Sequence, residues 1–355
     1  MSGFLLELIR ESVGLTQVRL AEQLGLDVAT IQGWESSRRP LTALQTGDLV
    51  RLRSQLRRCG AEPTALGILD DAIEADLIIA ETVAAGERLI NRGEHPVGAT
   101  VHQRSLNHLI TWPFLGLIPA QLRHLPGPVL PRRGPVPEQP TLHRHERTRF
   151  FDHLLVTADA NPQEDAALLR RQAIYLLGFD PRSSTADWLH TEQRRALRHA
   201  GHTDHVPSWV AVRSSALALA NSGDSDPLRA FVQHALVTDQ QERANLNYWA
   251  YWVGEIDTVQ VDDEFMGRID PTGWSGVRLL RHLLGRLHPG DAHAELNIHT
   301  VWALLLAHPS LLTHHPDLRS ETARTIDQLA ADGELSVRAR RELSDIGYAA
   351  RLARR

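Results

Sequence analysis

The sequence predicts an all-α protein, with a small N-terminal helical domain followed by a larger helical region of solenoid or bundle type. Three observations lead there. Apolar residues recur at three- and four-residue spacing in segment after segment. Clusters of Gly and Pro separate those segments. The only stretch with strand character is the short run Thr258 to Val261.

The N-terminal elements are the best punctuated. Thr16 suits the N-cap of a helix, with Leu15 and Leu20 as the hydrophobic staple that sets its entry angle. Val18, Ala21 and Leu24 continue the apolar spacing, and Gly25 ends the helix in a left-handed conformation that costs glycine little. Leu26 and Ile31 then form a second staple around an Asp27 N-cap, whose carboxylate suits the positive end of the helix dipole. A small Ala21, a turn Gly25 and a branched Ile31 are what a sharply crossed helix pair requires. An ordinary helical hairpin would use the same caps. Arg38-Arg39-Pro40 closes the second helix, and Leu41 to Leu56 predicts a short helix, a break at Gly47 and a longer basic helix.

This stretch resembles the XRE, or lambda-repressor-like, family of helix-turn-helix domains. Leu15-Thr16-Gln17, Leu20-Ala21, Leu24-Gly25, Ile31 and Trp34-Glu35 stand where that family places them, over roughly residues 4–59. The resemblance implies double-stranded DNA as partner, with the second motif helix in the major groove and the first crossing the backbone. Carried over by position, Gln17, with Thr16 beside it, holds a phosphate. Val28, Ala29, Gln32 and Gly33 face the base edges, and Thr30, Ser36, Arg38 and Arg39 lie near the sugar-phosphate chain. An amide at Gln32 can pair with adenine N6 and N7, whereas Val28 and Ala29 offer apolar contact alone and Gly33 offers none. Many relatives carry Arg, Gln, Ser or Lys at these places. Specificity is therefore expected from Gln32, neighbouring contacts, DNA shape and a second subunit. Arg51, Arg53, Arg57 and Arg58 either touch phosphate or form a solvated face.

At 355 residues, 42% of them hydrophobic, the chain has room for two or three domains and a sizeable core. All 38 basic side chains are arginine, which fits a GC-rich genome of actinobacterial type. Every cationic phosphate contact would then come from a guanidinium. The net charge of −5 argues against a general nucleic-acid coat, and it is uneven: residues 1–60 carry +2 and the remainder −7. Binding is expected to be local and weakened by salt. The single Cys59 excludes an internal disulfide and reads as a structural thiol at a helix end, or as a link between subunits. Glu7, Arg10 and Glu11 interrupt the first apolar run, so no signal peptide is read, and no run approaches a membrane span. A cytoplasmic, nucleoid-associated protein is expected.

Four regions are expected: residues 1–60 as the DNA-binding domain, 61–112 as a helical connector or dimerisation segment, 113–141 as a proline-rich linker or surface strap, and 142–355 as a helical sensor or interaction domain. Eight prolines between Pro113 and Pro140 mark the clearest boundary. Beyond it, Asp165 to Leu177, Glu192 to Ala200, Trp209 to Ala220, Leu228 to Val237 and Val277 to Leu287 all carry helical spacing, without a fixed repeat period. Tyr248, Tyr251 and Trp252 share one helix face and Trp249 points aside. They suit a partner or ligand surface, and packing between adjacent helices explains them equally well. Among 19 histidines, His143, His145 and His153, and the His314-His315 pair, come nearest to a metal site, yet none has ligand spacing. No phosphate loop, nucleophile elbow or acid-base pair is legible, so neither catalysis nor a cofactor is expected.

The expected function is a DNA-binding transcription regulator, a homodimer whose helical C-terminal region dimerises or senses a peptide, small-molecule or protein effector. The alternative is an antitoxin-like or scaffold protein whose body binds a partner protein, with DNA contact secondary.

Overall fold

The computed structural model describes residues 1–355 apart from 87, 92–93, 117, 120–121, 123–124, 126–138, 162–166, 201–205, 261, 331–334 and 354–355. Among the described residues all regular structure is helical, and Thr258 to Gln260 forms no strand. No helix of the described residues is long and apolar enough to cross a membrane. The chain divides into two compact units, Met1–Ala160 and Asn161–Arg355.

The first unit contains α1 (Ser2–Ser12), α2 (Gln17–Leu24), α3 (Val28–Glu35), α4 (Thr46–Arg58), α5 (Pro63–Ala85), α6 (Arg104–Leu115) and α7 (Arg144–Ala160). Thr16 caps α2 by accepting the Arg19 N–H at 3.2 Å, and Gly25 ends it with φ 67°. Asp27 stands at the N-cap of α3 as expected, but its side chain makes no capping bond. Gly47 does not break a helix. The interruption falls at Leu44 and Gln45, after a 3-10 turn at Leu41–Ala43, and Gly47 lies in the first turn of α4.

The motif is packed against the later helices of its unit. The inner face of α5 buries Leu66, Leu69, Ala72 and Ile79, and α5 packs against α1, α6 and α7. Each such Leu or Ile contributes roughly 1.5–3 kcal/mol through burial. The Ser2 backbone N–H and hydroxyl both donate to Asp76 Oδ2, at 2.8 and 2.6 Å, tying the start of α1 to α5. Phe4 of α1 meets Trp112 of α6 edge-on, with centroids 5.4 Å apart. The apolar face of α5, part of the stretch expected as a helical connector or dimerisation segment, is largely covered within its own unit.

The helices on either side of the proline-rich segment belong to one unit. Pro113 lies inside the last turn of α6, which ends at Gly116 in the left-handed region. Phe114 of α6 stacks on Phe150 and Phe151 of α7, at 5.5 and 5.1 Å. That aromatic cluster holds α7 in the first unit, so the division falls at Ala160–Asn161 and not within 113–141. Of 113–141, residues 117, 120–121, 123–124 and 126–138 lie outside the described residues.

The second unit contains α8 (Ala167–Leu177), α9 (Ser183–Ala200), α10 (Val206–Asn221), α11 (Asp226–His234), α12 (Asp239–Val253), α13 (Phe265–Arg268), α14 (Val277–Leu284), α15 (Ala294–Ala307), α16 (Leu311–His314), α17 (Pro316–Leu329) and α18 (Val337–Leu352). Helix α15 is buried almost all round from Ala294 to Leu304, as its apolar sequence requires. It packs against α11, α12, α14 and α18. A solenoid joins each repeat to its neighbours alone. Contacts from α15 back to α11 and on to α18 tie successive helices of this unit together.

Each unit also buries a histidine cluster. In the first, Val97 N–H donates to His95 Nδ1 at 3.3 Å, so His95 Nε2 carries the proton. It lies 3.0 Å from His153 Nε2, and His153 Nδ1 in turn donates to Gly86 O at 2.6 Å. Both rings are satisfied when neutral. Burial, together with its histidine neighbour, pushes His95 down to about 4, and burial also lowers His153. In the second unit His299 lies between two carboxylates, with Nδ1 2.9 Å from Glu342 and Nε2 3.0 Å from Glu242. Burial disfavours its charge, but hydrogen bonds to Glu242 and Glu342 outweigh it and raise the pKa.

The two clusters respond to pH in opposite ways. The stability contributed by the His95–His153 pair is complete above the ordinary histidine value of 6.5 and is lost as pH falls from there toward 4. The contribution of His299 is complete below 6.5 and is lost as pH rises through its elevated folded value. Amide protection of the intact chain, corrected for intrinsic exchange, should show α7 loosening first on acidification and α15 first on alkalinisation. The same response in both helices would contradict the assignment.

Candidate nucleic-acid interface

Helix α3 is held by one side and left free on the other. Ile31, Trp34 and Glu35 face inward and are buried, whereas Ala29, Gln32 and Ser36 are exposed. Leu20 and Ala21 of α2 are buried in the same small core. The small Ala21 lets the two helices cross closely, which is the packing expected of the motif.

Glu35 is the polar anchor of this core. Arg10 of α1 donates to it through Nε at 2.5 Å and Nη2 at 3.0 Å, a two-pronged pair, with side chains only 8% and 4% exposed. Arg10 Nη1 also donates to Leu15 O at 2.7 Å, holding the chain just before α2. The remaining capacity of Glu35 is taken by Gln17, whose amide N–H donates to Oε2 at 2.6 Å. The other end of that amide faces outward, with Gln32 Nε2 3.4 Å from Gln17 Oε1. A line of polar contacts thus runs from a buried ion pair to the Gln32 amide on the outer face of α3.

Other predicted residues fall around this line. The Thr16 hydroxyl is used as a cap, and Val28 and Thr30 are half-buried. The Ser36 hydroxyl donates to Gln32 O at 2.6 Å and accepts from Arg38 Nε at 3.0 Å. Arg38 and Arg39 are exposed, and Arg39 Nη1 donates to Thr30 Oγ1 at 3.2 Å. Gly33 is buried beneath the Arg39 side chain. Of the basic residues on α4, Arg51 pairs with Asp48 at 3.3 Å and Arg53 with Asp70 at 2.9 Å, which leaves Arg57 and Arg58 as exposed cations. The Cys59 thiol donates to Gln23 Oε1 at 3.2 Å, bridging the end of α4 to α2.

The aromatic group of α12 lies elsewhere and is engaged in packing. The Arg213 guanidinium of α10 sits 3.8 Å from the Tyr248 ring centre and 5.6 Å from that of Trp249. Tyr251 is buried against Phe265 with centroids 5.3 Å apart, and Trp252 is half-buried beside Tyr248 and Tyr251. Trp249 meets His282 of α14 at 5.7 Å. His153, grouped with His143 and His145 in the sequence, meets His95 instead. Among the described residues, no group of three or more His, Cys, Asp or Glu side chains gathers as a metal site would require.

Arg10 is the residue that sequence reasoning misses, because it reads there merely as a charge interrupting an apolar run. One signal is available. Arg10 follows Leu6 by four residues, and Glu35 follows Ile31 by four, so each charge sits on an inward face and needs the other.

Replacing Glu35 by Ala leaves Arg10 as an uncompensated buried charge, with an expected loss of about 3–5 kcal/mol. Combining Arg10→Met with Glu35→Leu should restore most of it, because apolar side chains of similar volume can replace a buried pair. Denaturant unfolding of the two variants checks this, and a double variant no more stable than the single one contradicts it.

A family model described as helix-turn-helix matches residues 6–44. These residues form an XRE-type motif, with α2 and α3 as its crossed pair. Neither a curated protein nor a solved structure matches the chain.

Proposed function

We propose that the protein is a transcription regulator that binds double-stranded DNA as a homodimer and catalyses no reaction. The observation that carries this reading is the division of α3, with Ile31, Trp34 and Glu35 locked inward, Ala29 and Gln32 left outward, and the exposed Arg38 and Arg39 just beyond its end. An eight-residue helix braced in this way can enter a major groove without losing its position. Thr16 and Gln17 begin α2, where unpaired backbone N–H groups favour a phosphate. One such helix reads half a site. Two copies placed about 34 Å apart would double both the phosphate contacts and the sequence read. In this reading the second unit supplies dimerisation or senses an effector.

The plainness of Val28 and Ala29 supports a second reading, in which the second unit binds a partner protein and DNA contact is secondary. The two are separated by how binding responds to charge. For the regulator, Arg38→Ala combined with Arg39→Ala should weaken binding to the gene's own upstream DNA by tenfold or more. The slope of log affinity against log salt should become shallower by about 0.9 for each phosphate the variant no longer neutralises. Fluorescence anisotropy over a salt series measures both, with circular dichroism to show that the fold is kept. Unchanged affinity and slope would exclude the proposed face.

A further inference from the structure

Gly33 sits where α3 is most exposed, yet it is buried. It lies two residues on from the inward Ile31, which turns it about 200° from the core. What covers it is Arg39. A Cβ on residue 33 would stand 3.1 Å from Arg39 Cδ, 3.2 Å from Cγ and 3.4 Å from Cβ. The absence of a side chain at 33 therefore opens a notch, and the Arg39 stem fills it.

The backbone is shaped to deliver this arm. Ser37 takes φ 58°, the one positive value at a non-glycine residue among those described, and so reverses the chain after α3. The Arg39 N–H then donates to Gly33 O at 2.9 Å, clamping the returning chain onto the helix. From there the side chain runs back along the helix axis, and Nη1 reaches Thr30 Oγ1 at 3.2 Å. A guanidinium has five N–H donors in a flat fork. Among the described residues Thr30 takes one of them.

Resting on the DNA-binding reading above, we propose that Arg39 is a specificity-determining residue that reads a guanine in the major groove. Its arm is routed through the Gly33 notch to the N-terminal half of α3, the part of a recognition helix that contacts base edges. A flat guanidinium held at Thr30, with donors to spare, suits the two acceptors O6 and N7 of guanine. This gives the plain Gly33 a positive role. A side chain at 33 would meet the stem.

The test is selection of bound duplexes from a random library by the full-length protein, followed by anisotropy on the selected duplex. The wild-type protein should enrich a guanine in each half-site and lose about tenfold or more when that guanine is replaced by 7-deazaguanine, which lacks the N7 acceptor. Arg39→Lys keeps the charge and loses the fork, so it should lose that preference with little change in salt slope. Gly33→Val leaves residue 39 intact but fills the notch, and should lose the same preference. The 7-deazaguanine result does not depend on whether that variant folds. A motif unchanged in Arg39→Lys, or insensitive to 7-deazaguanine, would overturn the proposal and leave DNA binding standing. A wild-type protein that enriches no sequence would overturn both.

Discussion

The motif depends on the buried pair between Arg10 and Glu35. Burying two charges costs several kcal/mol each unless every lone pair and proton finds a partner. Here the carboxylate takes two bonds from Arg10 and one from Gln17, and the guanidinium adds one to Leu15 O. Those four bonds reach the body of α1, the entry to α2, its first residue and the end of α3. Apolar packing of Leu20, Ile31 and Trp34 would hold these elements together, but it is non-directional and would tolerate small rotations. The ion pair makes the arrangement directional. It also orients Gln17, because an amide whose N–H side faces a carboxylate must turn its carbonyl outward, toward Gln32.

Support for that arrangement extends well past the matched residues. Asp76 of α5 holds the first residues of α1, and Phe4 of α1 packs on Trp112 of α6. The helix that carries Arg10 is thus fixed from behind by helices far along the chain. Rigid backing suits the plain front of α3. With Ala29 and Gly33 contributing little side chain of their own, whatever α3 recognises depends on where a few arms are placed: Gln32 from within the helix, Arg38 and Arg39 from beyond it. Small errors of placement would then matter more than they do for a helix studded with long polar residues.

What the sequence made legible is what short-range interactions decide. Thr16 as a cap, Gly25 as a left-handed terminator and the helices of the second unit depend on residues within four or five positions of one another. Arg10–Glu35 spans 25 positions and Ser2–Asp76 spans 74, and no local pattern announces either partner. The division into units at Ala160–Asn161 depends on distant partners in the same way. Proline density between Pro113 and Pro140 describes the composition of that segment truly enough, but membership of a unit is decided by Phe114 meeting Phe150 and Phe151 across it. Gly33 shows the subtler limit. It reads as an empty place on α3, and only the return of the chain at Ser37 shows what occupies it.

The histidines carry the same lesson into chemistry. His95 and His299 are both buried, and spacing gives no reason to distinguish them. One is met by a backbone N–H and a second imidazole, so its neutral form satisfies every partner and its proton affinity falls. The other is met by two carboxylates, so only the doubly protonated ring can donate to both, and its affinity rises. Arg338 sharpens this. It donates to Glu342 Oε1 at 2.8 Å and to Val232 O, and its Nη2 stands 3.2 Å from His299 Nδ1. With a protonated ring that last approach sets two donors side by side and cannot be a hydrogen bond. It is tolerated because Nη2 has its own acceptor in Leu236 O at 2.9 Å, while Arg338 Nε and His299 Nδ1 both donate to Glu342 Oε1. The polar cluster at the centre of the second unit therefore joins α12, α15 and α18 through a charge balance, where the pair in the first unit joins its elements through neutral rings.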